Sequence, residues 1–250
     1  AAPKHECDCE EAFVMAQFMH EINNMMMPSH PKHHSFAQTC SLKKAMNTFG
    51  KQRATESAMA EMQQLLDRHA FLPIHVDRLN SVERRRAMEN ISFLVEKRDG
   101  RLKARNVANG STQRSCMSKE DAASPTAATE SIILTAVIGA KEGRDVMLSD
   151  VPNALIQAGV DHEAGERITM KFRGTIVDLL IKLDPTYADF VVHERGQKVL
   201  CVAALKAACG MLQSSLLFCK KLKADLIEIG FKFNPCDPCV ANRLVDAKQQ

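Results

Sequence analysis

Asp150 closes an apolar run, Val146-Met147-Leu148-Ser149-Asp150, and leads at once into Val151-Pro152-Asn153-Ala154-Leu155-Ile156-Gln157. A strand with a carboxylate at its tip is one way for a nucleotidyl transferase to present an oxygen ligand to Mg²⁺. The competing reading of a lone Asp at a strand end is a turn or helix cap. A second group is cationic. Arg101, Lys103 and Arg105 alternate along an expected strand, so their side chains share one face, and such a stripe can neutralise a phosphate chain. The commoner reading of a charge run is a solvated surface. The third group is Gly210-Met211-Leu212-Gln213, where a glycine ahead of a long helix lets backbone approach a ligand. An ordinary turn before a helix has the same signature. Gly inside the helix would cost about 1 kcal/mol, which favours the turn.

The elements that must position these groups follow from periodicity. A short helix is expected at Cys9–Ile22, with the rest of residues 1–40 a flexible segment rich in His, Met, Asn and Pro. Ala58, Met62, Leu65 and Leu66 mark an amphipathic helix over Ala54–His69, stopped near Pro73. Ser81 caps a short helix over Val82–Asn90. Strand-like runs Ile91–Glu96 and Arg101–Val107 flank Lys97-Arg98-Asp99-Gly100, and Asp-Gly between such runs signals a hairpin. Thr126–Lys141 gathers Thr129, Ile132, Ile133, Ala136, Val137 and Ala140 on one helical face and ends at Gly143. The Asp150 strand follows, then a helix from about Ala154, a strand at Arg167–Phe172 and a helix near Thr175–Lys182. Lys198–Ala203 reads as a strand and Leu212–Ile229 as a long helix. Cys239–Val245 reads as a last strand without its hairpin partner. Interleaved helices and hairpins make the class α+β, with an antiparallel sheet and packed helices.

Composition narrows the function. At 250 residues, 45% hydrophobic and 25% charged, the chain can bury a sizeable core. No apolar run reaches the roughly 18 to 20 residues of a membrane span and no signal peptide opens the chain, so no membrane partner and an intracellular, non-secreted location are expected. Residues 83–114 hold nine Lys/Arg against four acids, an excess of five in a chain whose net charge is +3. A phosphate-bearing partner suits that zone. Nine cysteines without a secretory signal argue against a disulfide framework.

Taken together, the motifs resemble copia-type retrotransposon reverse transcriptases. Val151-Pro152-Asn153-Ala154-Leu155 after Asp150 is similar to the family's first carboxylate box, D-[IV]-x-x-A-F-L. Lys103 to Gln113 looks like its K-x-R-x-V-x-x-G-x-x-Q fingers block, and Gly210 to Gln213 like its G-x-x-Q box. Further similar runs lie at Ser124–Ser131, Val177–Pro185, Leu216–Leu222 and Gly230–Asp237, so the likeness covers roughly residues 41–250. It implies a right-hand polymerase fold, with fingers and an incomplete palm over 41–250. It implies RNA- or DNA-templated addition of deoxynucleotides with Mg²⁺, inside an intracellular particle or nucleus and from a parent polyprotein. Asp150 would be the catalytic residue and metal ligand. Lys103, Arg105, Asn153, Ala154, Leu155 and Gln213 would contact the nucleotide, and Arg101 and Gly210 the template-primer.

The family's V-D-D box, which supplies two further aspartates, is not within these residues, so no activity is expected of them. Leu155 stands where the family carries the Phe that excludes a ribose 2′-hydroxyl. Cys201, Cys209 and Cys236 stand where related elements carry Tyr, and Cys219 and Pro238 where they carry Trp. The alternative expectation is accordingly a degenerate, non-enzymatic remnant that at most binds nucleic acid through residues 83–114. Two metal readings are weak by spacing. Cys236 and Cys239 form C-x-x-C without a second pair. His5, Cys7, Cys9, His30, His33 and His34 lack the spacing of a zinc knuckle.

Overall fold

The computed structural model describes residues 39–160, 167–245 and 248–249. The chain divides into Ala1–Gln38 and Thr39–Gln250, and all described residues belong to the second unit. The expected helix at Cys9–Ile22 and the His/Cys group near it lie outside the described residues. Elements run β1 (Thr39–Ser41), α1 (Leu42–Phe49), α2 (Lys51–Asp67), β2 (Phe71–Ile74), α3 (Ser81–Arg86), β3 (Met88–Glu96), β4 (Leu102–Ala108), α4 (Lys119–Ala122) and α5 (Thr129–Glu142). They continue with β5 (Thr169–Arg173), α6 (Thr175–Leu183), β6 (Val191–Glu194), β7 (Gln197–Ala204), α7 (Ser214–Glu228), β8 (Lys232–Phe233), β9 (Ala241–Asn242), β10 (Leu244–Val245) and β11 (Lys248–Gln249). The class is α+β.

Seven strands form the main sheet, in the path β1-β3-β5-β7-β2 with β4 on β3 and β6 on β7. The sheet is mixed where an antiparallel one was expected, because Met88 and Glu89 of β3 pair in parallel with Met170 and Lys171 of β5. The β3–β4 hairpin forms as its Asp-Gly turn requires. Gly100 has φ +77°, its N–H donates to the Lys97 carbonyl, and the Lys97 N–H donates to Arg101 O at 2.8 Å. Pro73 sits within β2 instead of halting α2 from a distance. It is tolerated because β2 pairs only with β7, at the sheet edge.

Helix α2 buries Ala54, Ala58 and Met62, spaced by four, against the sheet. Ser57 joins it to β4 twice: its hydroxyl donates to Leu102 O at 3.0 Å and accepts from the Ala104 N–H at 2.9 Å. Fully buried Phe172, Leu180, Leu200 and Val202 fill the core, with Phe71 packed 5.2 Å from Phe172 and edge-on to Tyr187. The cap of α3 is Asn80 rather than Ser81, in a reciprocal capping box with Glu83, and the helix ends at Arg86. Its expected continuation to Asn90 is overridden by β3, whose backbone groups are satisfied by pairing.

The largest departures lie between α5 and β5. Residues 144–150 have no regular structure, so Asp150 does not end a strand. An extended run needs a neighbour for its backbone, and Val146, Met147 and Leu148 stand 90%, 88% and 98% exposed. The helix expected from Ala154 is one 3-10 turn, Ala154–Gln157. Helix α5 forms, stopped by Gly143 in the left-handed region, yet none of its residues is buried. The expected last strand is two short ones. β9 pairs with β8 and β10 with β11, so partners for Cys239–Val245 are within the chain. No described helix is long and apolar enough to cross a membrane.

Glu83 ties α3 to β5. Its side chain is 2% exposed and accepts from Arg167 Nε at 2.7 Å, Arg167 Nη2 at 3.0 Å and the Asn80 N–H at 2.9 Å. The Arg167 hydrogen bonds, helped by that of Asn80, hold its carboxyl down at about 2 against the desolvation that opposes them. A depressed carboxylate stabilises the fold above its unfolded value and loses that contribution as pH falls toward the folded one. Glu83→Gln is expected to lower stability at pH 7 by about 3 kcal/mol, the free-energy equivalent of such a shift. The difference should shrink from about pH 4.5 downward, as followed by denaturant melts of both proteins across pH.

Candidate functional site

Where β4 ends, the chain crosses the turn that precedes α7. The Ala108 N–H donates to Cys209 O at 2.7 Å, and the Leu212 N–H donates to the side-chain oxygen of buried Gln113 at 2.9 Å. Two glycines make the crossing possible. A Cβ on Gly210, at φ +90°, would run into the Ala108 carbonyl and a Val107 methyl, and one on Gly110 would run into the Gly210 carbonyl. The last Gly and Gln of the K-x-R-x-V-x-x-G-x-x-Q block therefore hold the G-x-x-Q turn in place. Gly210 has a structural role at this crossing.

Beside the crossing lies a cavity of about 210 Å³. Phe71, Phe172, Met170 and Leu65 give it an apolar floor. Lys103 and Arg105 come from the exposed face of β4, since Ala104 between them points into the core. Asn153, Ala154 and Leu155 approach from the 3-10 turn. Asn153 takes a left-handed conformation at φ +52°, which Asn tolerates, and its side-chain amide donates to Gln64 Oε1 of α2 at 3.1 Å. Lys206 lines the same cavity, placed by hydrogen bonds from the Leu205 and Lys206 N–H groups to Ala70 O. Glu61, on α2, completes the charged wall.

Five of the residues singled out from sequence thus meet: Lys103, Arg105, Asn153, Ala154 and Leu155. Gln213 does not join them. It lines a separate cavity of about 350 Å³ with Arg86, Gln113, Arg167 and Lys220. Arg101 lies beyond the end of β4 and is engaged by Asp99, 2.6 Å from its Nη2, so the expected three-cation stripe has two members in β4. Asp150 does not line the cavity and is exposed. Glu61 and Lys206 carry no sequence signal of their own. Nothing local marks them, because their place depends on where α2 and the post-β7 turn meet.

Within the basic zone at 83–114, Arg101 is paired by an acid of the zone itself, and the other three acids are taken by arginines outside it. Each of its four acids has an arginine partner: Glu83 with Arg167, Glu89 with Arg173, Glu96 with Arg53 and Asp99 with Arg101. Arg84 caps backbone, donating to the Leu79 and Val76 carbonyls.

The residues do not fit a metal centre. Among the described residues no three of His, Cys, Asp and Glu come together to hold an ion, Asp150 included. Cys236 and Cys239 are exposed free thiols. Asp237 between them accepts from the Ala128 and Cys239 N–H groups and so caps α5. Of the four cysteines that stand at the family's Tyr and Trp positions, only Cys201 is buried, and burial pushes its thiol up. Cys219 is half-buried, while Cys209 and Cys236 are exposed. The two exposed positions lie outside helices and strands, where a thiol leaves no core void.

No protein-family model, curated protein or solved structure matches the chain.

Gly210→Ala should cost about 2–4 kcal/mol, since it combines backbone overlap with a positive φ. Gly100→Ala, at φ +77° with open space around it, should cost only about 1 kcal/mol. Equal losses in chemical denaturation would show that the crossing is not tight.

Proposed function

We propose that this chain is the fingers and part of the palm of a copia-type reverse transcriptase, and that its own residues bind a deoxynucleoside triphosphate without joining it to a primer. The observation that carries this reading is the meeting of Lys103 and Arg105 with Asn153, Ala154 and Leu155 around one cavity. They come from two boxes far apart in sequence, and each box is one that the family likeness assigns to nucleotide binding. Three cations at one wall and an apolar floor suit a ligand with a phosphate chain and a flat base. In this reading template-primer RNA or DNA lies against the basic hairpin, and the natural setting is a parent polyprotein.

Mg²⁺ supplies nucleophile activation and leaving-group support in the intact family. Asp150 alone does not make that centre, and no step is assigned to it. A second reading, a remnant that binds nucleic acid without chemistry, is favoured by the same isolation of Asp150 and by Leu155. Leu155 lines the cavity, and the family likeness puts there the flat ring that rejects a ribose 2′-hydroxyl.

The two readings separate in a binding assay. A fluorescent deoxynucleoside triphosphate should bind residues 1–250, with affinity lowered about tenfold or more by Lys103→Ala with Arg105→Ala, given about 1.5–3 kcal/mol for a charge-assisted hydrogen bond. Discrimination against the matching ribonucleotide should stay below about tenfold, as expected when no rigid group opposes the extra hydroxyl. Primer extension with Mg²⁺ should be absent. Nucleotide binding indifferent to both substitutions would contradict the nucleotide reading. Extension abolished by Asp150→Ala would contradict the assignment of binding alone.

For nucleic acid, the slope of log affinity against log salt should fall by about 0.7–0.9 for each phosphate that the Lys103/Arg105 double variant no longer neutralises. Arg101→Ala should change it less, because Asp99 already engages that guanidinium.

A further inference from the structure

Glu61 is a carboxyl in a wall that otherwise attracts anions. It is half-buried on α2, accepts a hydrogen bond from the Asn106 backbone, and faces Lys103 and Arg105 of β4. Lys206 and the Cys209 thiol, from the turn after β7, share the cavity with it. The neutral amides Asn90 and Asn153 complete the polar surroundings.

Two opposed influences act on this carboxyl. Desolvation pushes it up and is the larger, while the Asn106 N–H, Lys103 and Arg105 pull it down, leaving it above the ordinary carboxylate value. An anion entering the cavity upsets that balance. The cations turn to the phosphate oxygens, water is displaced, and a carboxylate is left beside a second negative charge. A neutral carboxyl at that place would donate a hydrogen bond to a phosphate oxygen, where the ionised one could only repel it.

We propose that Glu61 is a polyphosphate-binding residue that acts in its acid form, taking one proton from solvent when the phosphate chain enters. The inference rests on the nucleotide reading of this cavity. The sign of the linkage is fixed: ligand binds the protonated form better, so affinity rises as pH falls through the Glu61 titration. The phosphate ligand shows the reverse tendency, since cations favour its more ionised forms and it gives protons up. Glu61 therefore sets the pH at which the cavity holds a phosphate chain best.

Isothermal titration with inorganic tripolyphosphate, at pH 6 in two buffers of different protonation enthalpy, reads the protons taken up per site. The unaltered chain should take up more protons than Glu61→Gln, by a fraction approaching one. At pH 7.5 Glu61→Gln, which keeps an oxygen for the Asn106 N–H, should bind about tenfold tighter, the order expected from removing one nearby like charge. The two affinities should converge as pH falls. Equal affinity and equal proton uptake in both proteins would overturn the inference and leave the cavity reading standing. No binding to either protein would overturn both. Should the variant not fold, the carboxyl ¹³C resonance of Glu61 in the unaltered chain decides. Its titration midpoint should move upward with saturating tripolyphosphate, and an unmoved midpoint would overturn the proposal.

Discussion

Everything near the cavity depends on one backbone crossing. The chain leaving β4 at Ala108 and the turn between β7 and α7 at Cys209 pass so closely that neither Gly110 nor Gly210 has room for a Cβ. The Ala108 N–H to Cys209 O bond and the Gln113 side chain under Leu212 satisfy backbone groups that the crossing removes from water. The crossing joins residues far apart in sequence, and with it the hairpin that carries Lys103 and Arg105 is fixed beside Lys206 and Cys209. Helix α2 presses on the other side through Ser57 and the Glu61–Asn106 hydrogen bond.

Much of the fold was legible where one local signal sufficed. The spacing of Ala58, Met62, Leu65 and Leu66 points to α2, Asp99-Gly100 defines the hairpin, and Gly143 ends α5. What failed required knowledge of neighbours. Val146-Met147-Leu148 has the composition of a strand, but a strand exists only with a partner, and among the described residues this run has none. The apolar stripe of α5 likewise predicts a helix and says nothing of what covers it. Ile132, Leu134 and Val137 remain more than half exposed. The parallel β3–β5 pair and the edge strand β2 were invisible because register between distant segments leaves no local trace.

The candidate residues were legible by motif spacing more than by physics. Motif spacing brought forward Lys103, Arg105 and Asn153 to Leu155, which do share a cavity, and also Gln213, Arg101 and Asp150, which do not line it. Arg101 precedes β4 and is engaged by Asp99, an acid readable two residues away. Glu61 and Lys206 could not be found from sequence, since one is an ordinary acid on an amphipathic helix and the other a single lysine before a turn. Burial and shared surroundings give them chemistry.

We propose that one cavity beside the Gly110–Gly210 crossing holds the phosphate chain of a nucleotide. Backbone amide resonances of the ¹⁵N-labelled chain, followed while a deoxynucleoside triphosphate is added, test it residue by residue. Saturable shifts should concentrate at Lys103, Arg105, Asn153 to Leu155 and Lys206. Shifts centred instead on Gln213 and Lys220 around the larger cavity, or spread along Arg84 to Arg86 without saturation, would contradict it.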